Sequence, residues 1–192
     1  MQIQIHVAQP GHDVHAQGIC DLMAESAKAR GTGIATRKPE YVAEKIRSGK
    51  AIIALVDDEL AGFSYIETWS HGEYVANSGL IVNPKYRRLG LARKIKAAIF
   101  DLSQTLFPDA RIFGITTSLP VMKINSDLGY KPVTFSELTQ DDAFWAGCNS
   151  CPNVDILTRN ERQMCLCTAM MAPSANEAQR MEVDLSDKIE EG

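Results

Sequence analysis

A chain of 192 residues falls within the range of one ordinary domain with a small appendage, and it is long enough to bury a substantial core. Hydrophobic residues make up 45% and charged residues 23%, which excludes wholesale disorder, and no apolar run approaches the length of a bilayer span. The formal net charge of −4 argues against general nucleic-acid binding. Lys85, Arg87, Arg88, Arg93, Lys94 and Lys96 nevertheless crowd one short stretch, which reads either as a site for a small anionic ligand or as a solvated helix face.

The start, Met1 to His6, alternates polar and apolar residues and lacks the basic-then-apolar order of a secretory signal, so a first strand and a cytoplasmic protein with reduced cysteines are expected. Ile19, Leu22, Met23 and Ala27 recur at helical spacing from Asp13 to Arg30, and a second helix follows Pro39, with Tyr41, Val42, Lys45 and Ile46 on its face. Ala51 to Val56 is a short apolar run bounded by Asp57-Asp58, as in a buried strand, and Leu60 to Trp69 completes a hairpin with it. Tyr74 to Val82 makes a further strand that Asn83-Pro84 stops, because proline has no donor for the ladder.

From Leu89 to Leu106 the apolar positions return to helical spacing. A short strand over Arg111 to Thr116, a helix over Pro120 to Leu128 and a last strand over Tyr130 to Phe135 follow. The order of elements predicts an α/β fold with a mixed, mostly antiparallel sheet flanked by helices. It places a main domain at 1–139, a small cysteine-bearing extension at 140–172 and an acidic, disordered tail at 173–192.

The segment Gly79 to Ala92 sets a buried strand, a proline turn and a basic loop ahead of a helix. The first N–H groups of a helix lack intrahelical partners and sit at its positive end, so they bind anions. Gly90 and Ala92 remove bulk there, while Arg87 and Arg88 supply charge and paired donors. The chain has neither the Gly-Lys-Ser/Thr of a P-loop nor the Gly-x-Gly-x-x-Gly of a dinucleotide site.

Arg87-Arg88-Leu89-Gly90-Leu91-Ala92 resembles the Arg/Gln-x-x-Gly-x-Gly/Ala signature of the GNAT superfamily of N-acetyltransferases. The hydrophobic strand and Asn-Pro turn before it and the Leu128-Gly129-Tyr130 step are similar to the family's pattern as well, and the likeness runs from about residue 3 to 137. It implies acetyl-CoA as cosubstrate, with the pyrophosphate on Arg87, Arg88, Leu89, Gly90, Leu91 and Ala92 and the pantetheine arm on the backbone of Leu80, Ile81 and Val82. Ser118 and Asn125 align with the family's asparagine and with the tyrosine that protonates the departing thiolate; Asn125 carries no titratable proton. A free thiol titrates at about 8.5, so the loss of tyrosine does not exclude catalysis.

Glu73, entering the motif strand, is the first candidate for general base, with Glu67 and His71 as rivals. Arg30 and Arg37 bracket Gly31-Thr32-Gly33, a frame suited to gripping an acceptor carboxylate. That suits an amino-acid acceptor, and the cysteine-tailed pattern faintly resembles GNAT proteins linked with arginine biosynthesis. Cys148, Cys151, Cys165 and Cys167 form two close pairs, open to three readings: structural zinc, packed free thiols or a redox pair. The expected activity is acyl transfer from acyl-CoA to a primary amine of a small molecule, without nucleic acid or membrane and with a homodimer among the open states. The alternative is a non-catalytic acyl-CoA-binding or zinc-bearing interaction module.

Overall fold

The fold is that of a computed structural model, which describes residues 1–30 and 36–190; of Arg30 and of residues 185–190 it gives the backbone alone. Ala51–Val56 has no polar face to turn toward water, and it forms a strand, β2, in which every residue is buried. Its antiparallel neighbours are β1 (Ile3–Val7) and β3 (Glu59–Trp69). Between β1 and β2 the chain makes a 3-10 turn at Pro10–His15 and two helices, α1 (Ala16–Arg30) and α2 (Pro39–Arg47). A turn at Ser70–Gly72 returns β3 into β4 (Tyr74–Val82). Then follow α3 (Leu91–Leu106), β5 (Arg111–Thr116), α4 (Leu119–Asp127) and β6 (Lys131–Val133). α5 (Asp142–Ala146), α6 (Val154–Arg159), β7 (Thr168–Ala172) and α7 (Ala175–Glu190) complete the chain.

The seven strands form one sheet in the order β1-β2-β3-β4-β5-β7-β6, antiparallel throughout except for β4 beside β5. This is the expected α/β class. The C-terminal part differs from expectation in two respects. Residues 168–172 lie inside the sheet, between β5 and β6, rather than in an appended extension. Ala175–Glu190 is helical where a disordered tail was expected, and Arg111 holds Glu177 near its start at 3.0 Å. Among the described residues no helix is long and apolar enough to cross a membrane.

Helices cover both faces of the sheet. On one face Leu91, Ile95, Ile99 and Phe100 of α3 recur at the spacing of an apolar stripe and pack with Ile52, Ile66, Val75 and Ile112. On the other, Ile19 and Met23 of α1 and Val42 and Ile46 of α2 pack with Ile53, Phe63, Tyr65 and Ile81. A third cluster joins Phe113 and Ala169 to Phe135, Trp145 and Leu157. Successive strand residues point to opposite faces, so Asn77 shares the α3 face with Val75, while Ser78 turns toward α1 and α2.

Two irregularities of β4 shape the centre of the molecule. It pairs with β5 only through Tyr74, Ala76 and the valine between them, and no β5 partner accompanies it from Asn77 onward. On its other edge Tyr65 pairs with Ser78 and Phe63 with Ile81, so that Ser64 alone faces Gly79 and Leu80. That is a β-bulge, which breaks the ladder locally and leaves backbone groups unpaired. Gly79 sits at φ +63°, and a Cβ there would lie 2.3 Å from Tyr65 Cε1. Gly79→Ala must therefore both enter the left-handed region and displace a buried ring. A loss of about 2–4 kcal/mol in urea unfolding is expected, and unchanged stability would show that the bulge tolerates a side chain.

Candidate active site

The loop after β4 is fixed by Asn83. Its Oδ1 accepts from the Lys85 N–H at 3.0 Å, and its Nδ2 donates to the Leu60 carbonyl at 3.0 Å. Tyr86 is buried, and its hydroxyl donates to Glu59, which Lys85 also engages. This holds one end of the loop and leaves Arg87 and Arg88 exposed, with no ion pair among the described residues. Arg88 and Gly90 both lie at positive φ, +70° and +71°, and Gly90 is the N-cap of α3 with no side chain capping the first turn. A Cβ on Gly90 would meet no protein atom within 4 Å, so the space above the helix start stays open. Uncapped N–H groups, a positive helix end and two free guanidinium groups meet there, as an anion requires. Leu89, Leu91 and Ala92 take the expected places around this corner, with Leu91 buried.

Behind this corner the parting of β4 from β5 opens a cleft of about 590 Å³. Asn77, Ser78, Gly79 and Leu80 line one wall and Gly114, Ile115 and Thr116 the other. Toward the α1/α2 face stands Glu67 of β3, only 8% exposed. Its Oε2 accepts from the Ser78 hydroxyl at 2.7 Å; its Oε1 accepts from the Tyr41 hydroxyl at 2.5 Å and from Arg37 Nη2 at 3.5 Å. Arg37 Nε donates to the Tyr65 hydroxyl at 2.7 Å. Burial, and then the bond to Glu67, pushes the Tyr41 phenol far above its ordinary range, so it stays a proton donor to the carboxylate. Glu67 is thus an acceptor held from three sides at the cleft wall.

Toward the α3 face stands Lys96, 3% exposed yet part of the cleft lining. Nζ donates to Asn77 Oδ1 and to the Tyr130 hydroxyl oxygen, both at 3.2 Å. The Tyr130 hydroxyl donates to Asn77 Oδ1 at 2.9 Å, and Asn77 Nδ2 donates to Ser103 Oγ at 2.8 Å. Burial disfavours the charged amine and pushes Lys96 down to about 7; burial likewise drives the Tyr130 phenol up.

The expected site residues are distributed unevenly. Glu67, Leu80 and Asn125 line the cleft; Ile81 is buried in the core beneath it, and Val82 and Ser118 flank it, with Ser118 capping α4. Glu73 and His71 lie exposed at the turn between β3 and β4 and do not line the cleft, so the structure does not bring them together with Glu67 there. Arg37 is in the site, but its guanidinium is engaged by Tyr65 and Glu67 rather than free to clamp a carboxylate. The side chain of Arg30, and the frame Gly31-Thr32-Gly33 between the two arginines, lie outside the described residues. Asn125 is 2% exposed, and its Oδ1 has no hydrogen-bond partner.

The zinc expectation is corrected. Cys148, Cys151, Cys165 and Cys167 are half-buried free thiols, and no group of three or more His, Cys, Asp or Glu among the described residues is arranged to hold a metal ion. Burial, and then the neighbouring cysteines, pushes the Cys148 thiol up and Cys167 to about 12. Cys148, Cys151 and Cys167 instead form part of the cleft wall. Tyr41, Tyr65, Ser78 and Tyr130 were not singled out from the sequence as site residues, and Lys96 was read only as part of the basic stretch. The available signal was polarity at positions whose period is otherwise apolar, as for Lys96 beside Ile95 on α3.

Residues 19–113 match the model of the Acetyltransferase (GNAT) family. Similar solved structures include N-acetylglutamate synthase from Neisseria gonorrhoeae, complexed with coenzyme A and N-acetyl-glutamate. It is 16% identical with a TM-score of 0.62, and the match covers 91% of this chain but 35% of the synthase, so this chain spans about a third of that protein. Rv2747 from Mycobacterium tuberculosis, in complex with CoA, is 13% identical at a TM-score of 0.62, with 88% of this chain and 98% of that one covered. A phosphinothricin acetyltransferase from Sinorhizobium meliloti, in complex with AcCoA, is 13% identical at 0.60, covering 91% and 89%. No curated protein sequence matches significantly. The family match thus covers residues 19–113, just under half of the chain, and the fold around it is similar to that of the GNAT acetyltransferase structures.

The corner at α3 carries a direct test. Replacing Arg87 and Arg88 together by alanine is expected to weaken CoA binding, measured by titration calorimetry, by about 1.5–3 kcal/mol for each charge-assisted hydrogen bond removed. Unchanged affinity would place the pyrophosphate elsewhere.

Proposed function

We propose that this chain is an N-acyltransferase that moves an acetyl or similar acyl group from acyl-CoA to the primary amine of a small molecule, an amino acid being the favoured class. The observation that carries the reading is Glu67. A buried carboxylate, oriented by Tyr41, Ser78 and Arg37, faces the gap between β4 and β5, behind the anion corner at α3. Acyl-CoA laid with its pyrophosphate on Gly90 and its arm along the unpaired backbone of β4 brings its thioester to that gap. The family match and the CoA-bound neighbours support the same cosubstrate.

In this reading the acceptor enters from the α1/α2 side as an ammonium ion. Glu67 takes its proton, directly or through one water, and the freed nitrogen attacks the thioester carbonyl. Positioning of the ammonium against the thioester carries much of the effect. The amino-acid class draws support from the Neisseria synthase, whose structure holds N-acetyl-glutamate. Lys38 and Thr36 at the cleft mouth supply polar groups for a carboxylate.

The test is release of free thiol from acetyl-CoA across a panel of amino acids and simple amines. Glu67→Gln is expected to lower kcat by about 10²-fold or more with CoA affinity preserved, whereas Glu73→Gln leaves kcat unchanged. Equal activity in wild type and Glu67→Gln over the whole pH range would remove Glu67 from the proton path. Binding of CoA without thiol release for any amine would replace the enzyme reading by an acyl-CoA-binding module.

A further inference from the structure

We propose that Lys96 is the proton donor to the thiolate that leaves acyl-CoA, acting from the face of the sheet opposite Glu67; this rests on the N-acyltransferase reading above. The first support is placement. Asn77 and Ser78 are consecutive residues of the β4 segment that has no β5 partner, and they point to opposite faces. Ser78 joins Glu67 on the α1/α2 face, and Asn77 joins Lys96 on the α3 face. A thioester lying in that gap has the proton acceptor for the amine on one side and an amine proton on the other. α4, which brings Asn125 to the family's tyrosine position, packs on the same face as Lys96, since Met122, Leu128 and Tyr130 share the α3 cluster.

Elimination among the neighbours is the second support. Asn125 has no titratable proton. The Tyr130 hydroxyl is committed to Asn77 Oδ1, and burial raises its pKa far above that of a thiol. An ammonium group has three protons, and Asn77 and Tyr130 take two. The third has no protein partner among the described residues, and Lys96 lines the cleft. The groups facing Nζ are Asn77 from β4 and Tyr130 from the segment after α4; no carboxylate pairs with it among the described residues. Ser103, bonded to Asn77 and to the Ile99 carbonyl at 2.7 Å, fixes the cluster from below.

Proton affinity is the third. An ordinary lysine, titrating at about 10.4, holds its proton too firmly to give it to a thiolate of about 8.5. At about 7, Lys96 gives it downhill and is still charged in a large fraction of molecules at neutral pH. In the transfer, the acceptor nitrogen bonds to the carbonyl carbon and the carbon–sulfur bond breaks with its electron pair on sulfur. The acceptor's ammonium gives one proton to Glu67 before attack and its nitrogen loses a second to water as the amide forms, while one Nζ proton goes to sulfur. Amide, CoA thiol and a neutral Lys96 result; Glu67 returns its proton to solvent, and solvent recharges Lys96. Holding a lysine near neutrality lowers folding stability at pH 7, because the unfolded chain keeps that proton up to about 10.4. A residue retained only for packing would carry no such burden.

Acetyl-CoA with hydroxylamine as acceptor isolates the step, because hydroxylamine is largely uncharged at neutral pH and needs no base. Wild-type kcat is expected to fall about tenfold per pH unit above about 7, as the acid form of Lys96 is lost. Lys96→Met and Lys96→Gln are expected to lower kcat at pH 7 by about 10²-fold and to abolish the falling limb. Their CoA affinity should match wild type, and the methionine variant should melt at or above the wild-type temperature. Retained kcat, or a retained alkaline limb, would overturn the proposal. So would joint loss of CoA affinity and thermal stability in both variants, which would assign Lys96 to the fold. Failure of wild type to release thiol with any amine would instead overturn the N-acyltransferase reading from which this proposal starts.

Discussion

The site depends on one constraint: β4 cannot remain paired on both edges beyond Ala76. Toward β5 the parallel pairing stops after three residues, and toward β3 the Gly79 bulge breaks the ladder at the same height. A strand in mid-sheet normally spends its backbone donors and acceptors on its neighbours. Here that pairing stops in the interior, beside a cleft of about 590 Å³. The Tyr65 ring, stacked where a Gly79 Cβ would lie, keeps the bulge in register, and the hydroxyl of Ser64 satisfies the Ser78 carbonyl at 2.9 Å. The irregular backbone is therefore supported by side chains of β3.

Two polar networks meet at that gap, and each is closed except toward the cleft. Glu67 receives three donors and Lys96 gives to two acceptors, and both side chains lie in a medium where an unpaired charge would be costly. The two networks never join, because they grow from opposite faces of one strand. That separation keeps a carboxylate and an amine from collapsing into an ion pair, which would neutralise both. The aromatic residues around Glu67 add to its rigidity: Tyr41 and Tyr65 meet edge to face at 5.9 Å, and the Arg37 guanidinium lies 5.5 Å from the Tyr41 ring.

The sequence was most legible where one kind of period dominates. β2, β4 and β5 fall on the residues expected from their apolar runs, and α2 starts at the proline that fits a first turn. β7 was hidden because Thr-Ala-Met-Met-Ala offers neither alternation nor a β-branched run, and its place is set by two strands distant in sequence. The acidic residues of α7 suggested a solvated tail, whereas its first turn is tied to Arg111 and Asp109. The anion corner was readable because backbone, glycine and arginine all lie within six residues. The groups proposed for proton transfer were less so: Glu67 stood only as a rival to Glu73, because it and Lys96 owe their surroundings to burial and to partners from other elements. Glu73, close to the motif in sequence, faces water at the other end of the same strand.

The position of β7 bears on how the molecule is assembled. β6 has no neighbour other than β7, and β5 has β4 on one side only until β7 arrives. During synthesis the chain up to about residue 160 therefore presents two open strand edges, one of them belonging to the very arm that frames the cleft. Such edges invite pairing with other chains. Only when residues 168–172 slot between them is β6 joined to the rest of the sheet, as its edge strand. The segment that follows the cysteines thus acts as a keystone rather than an appendix.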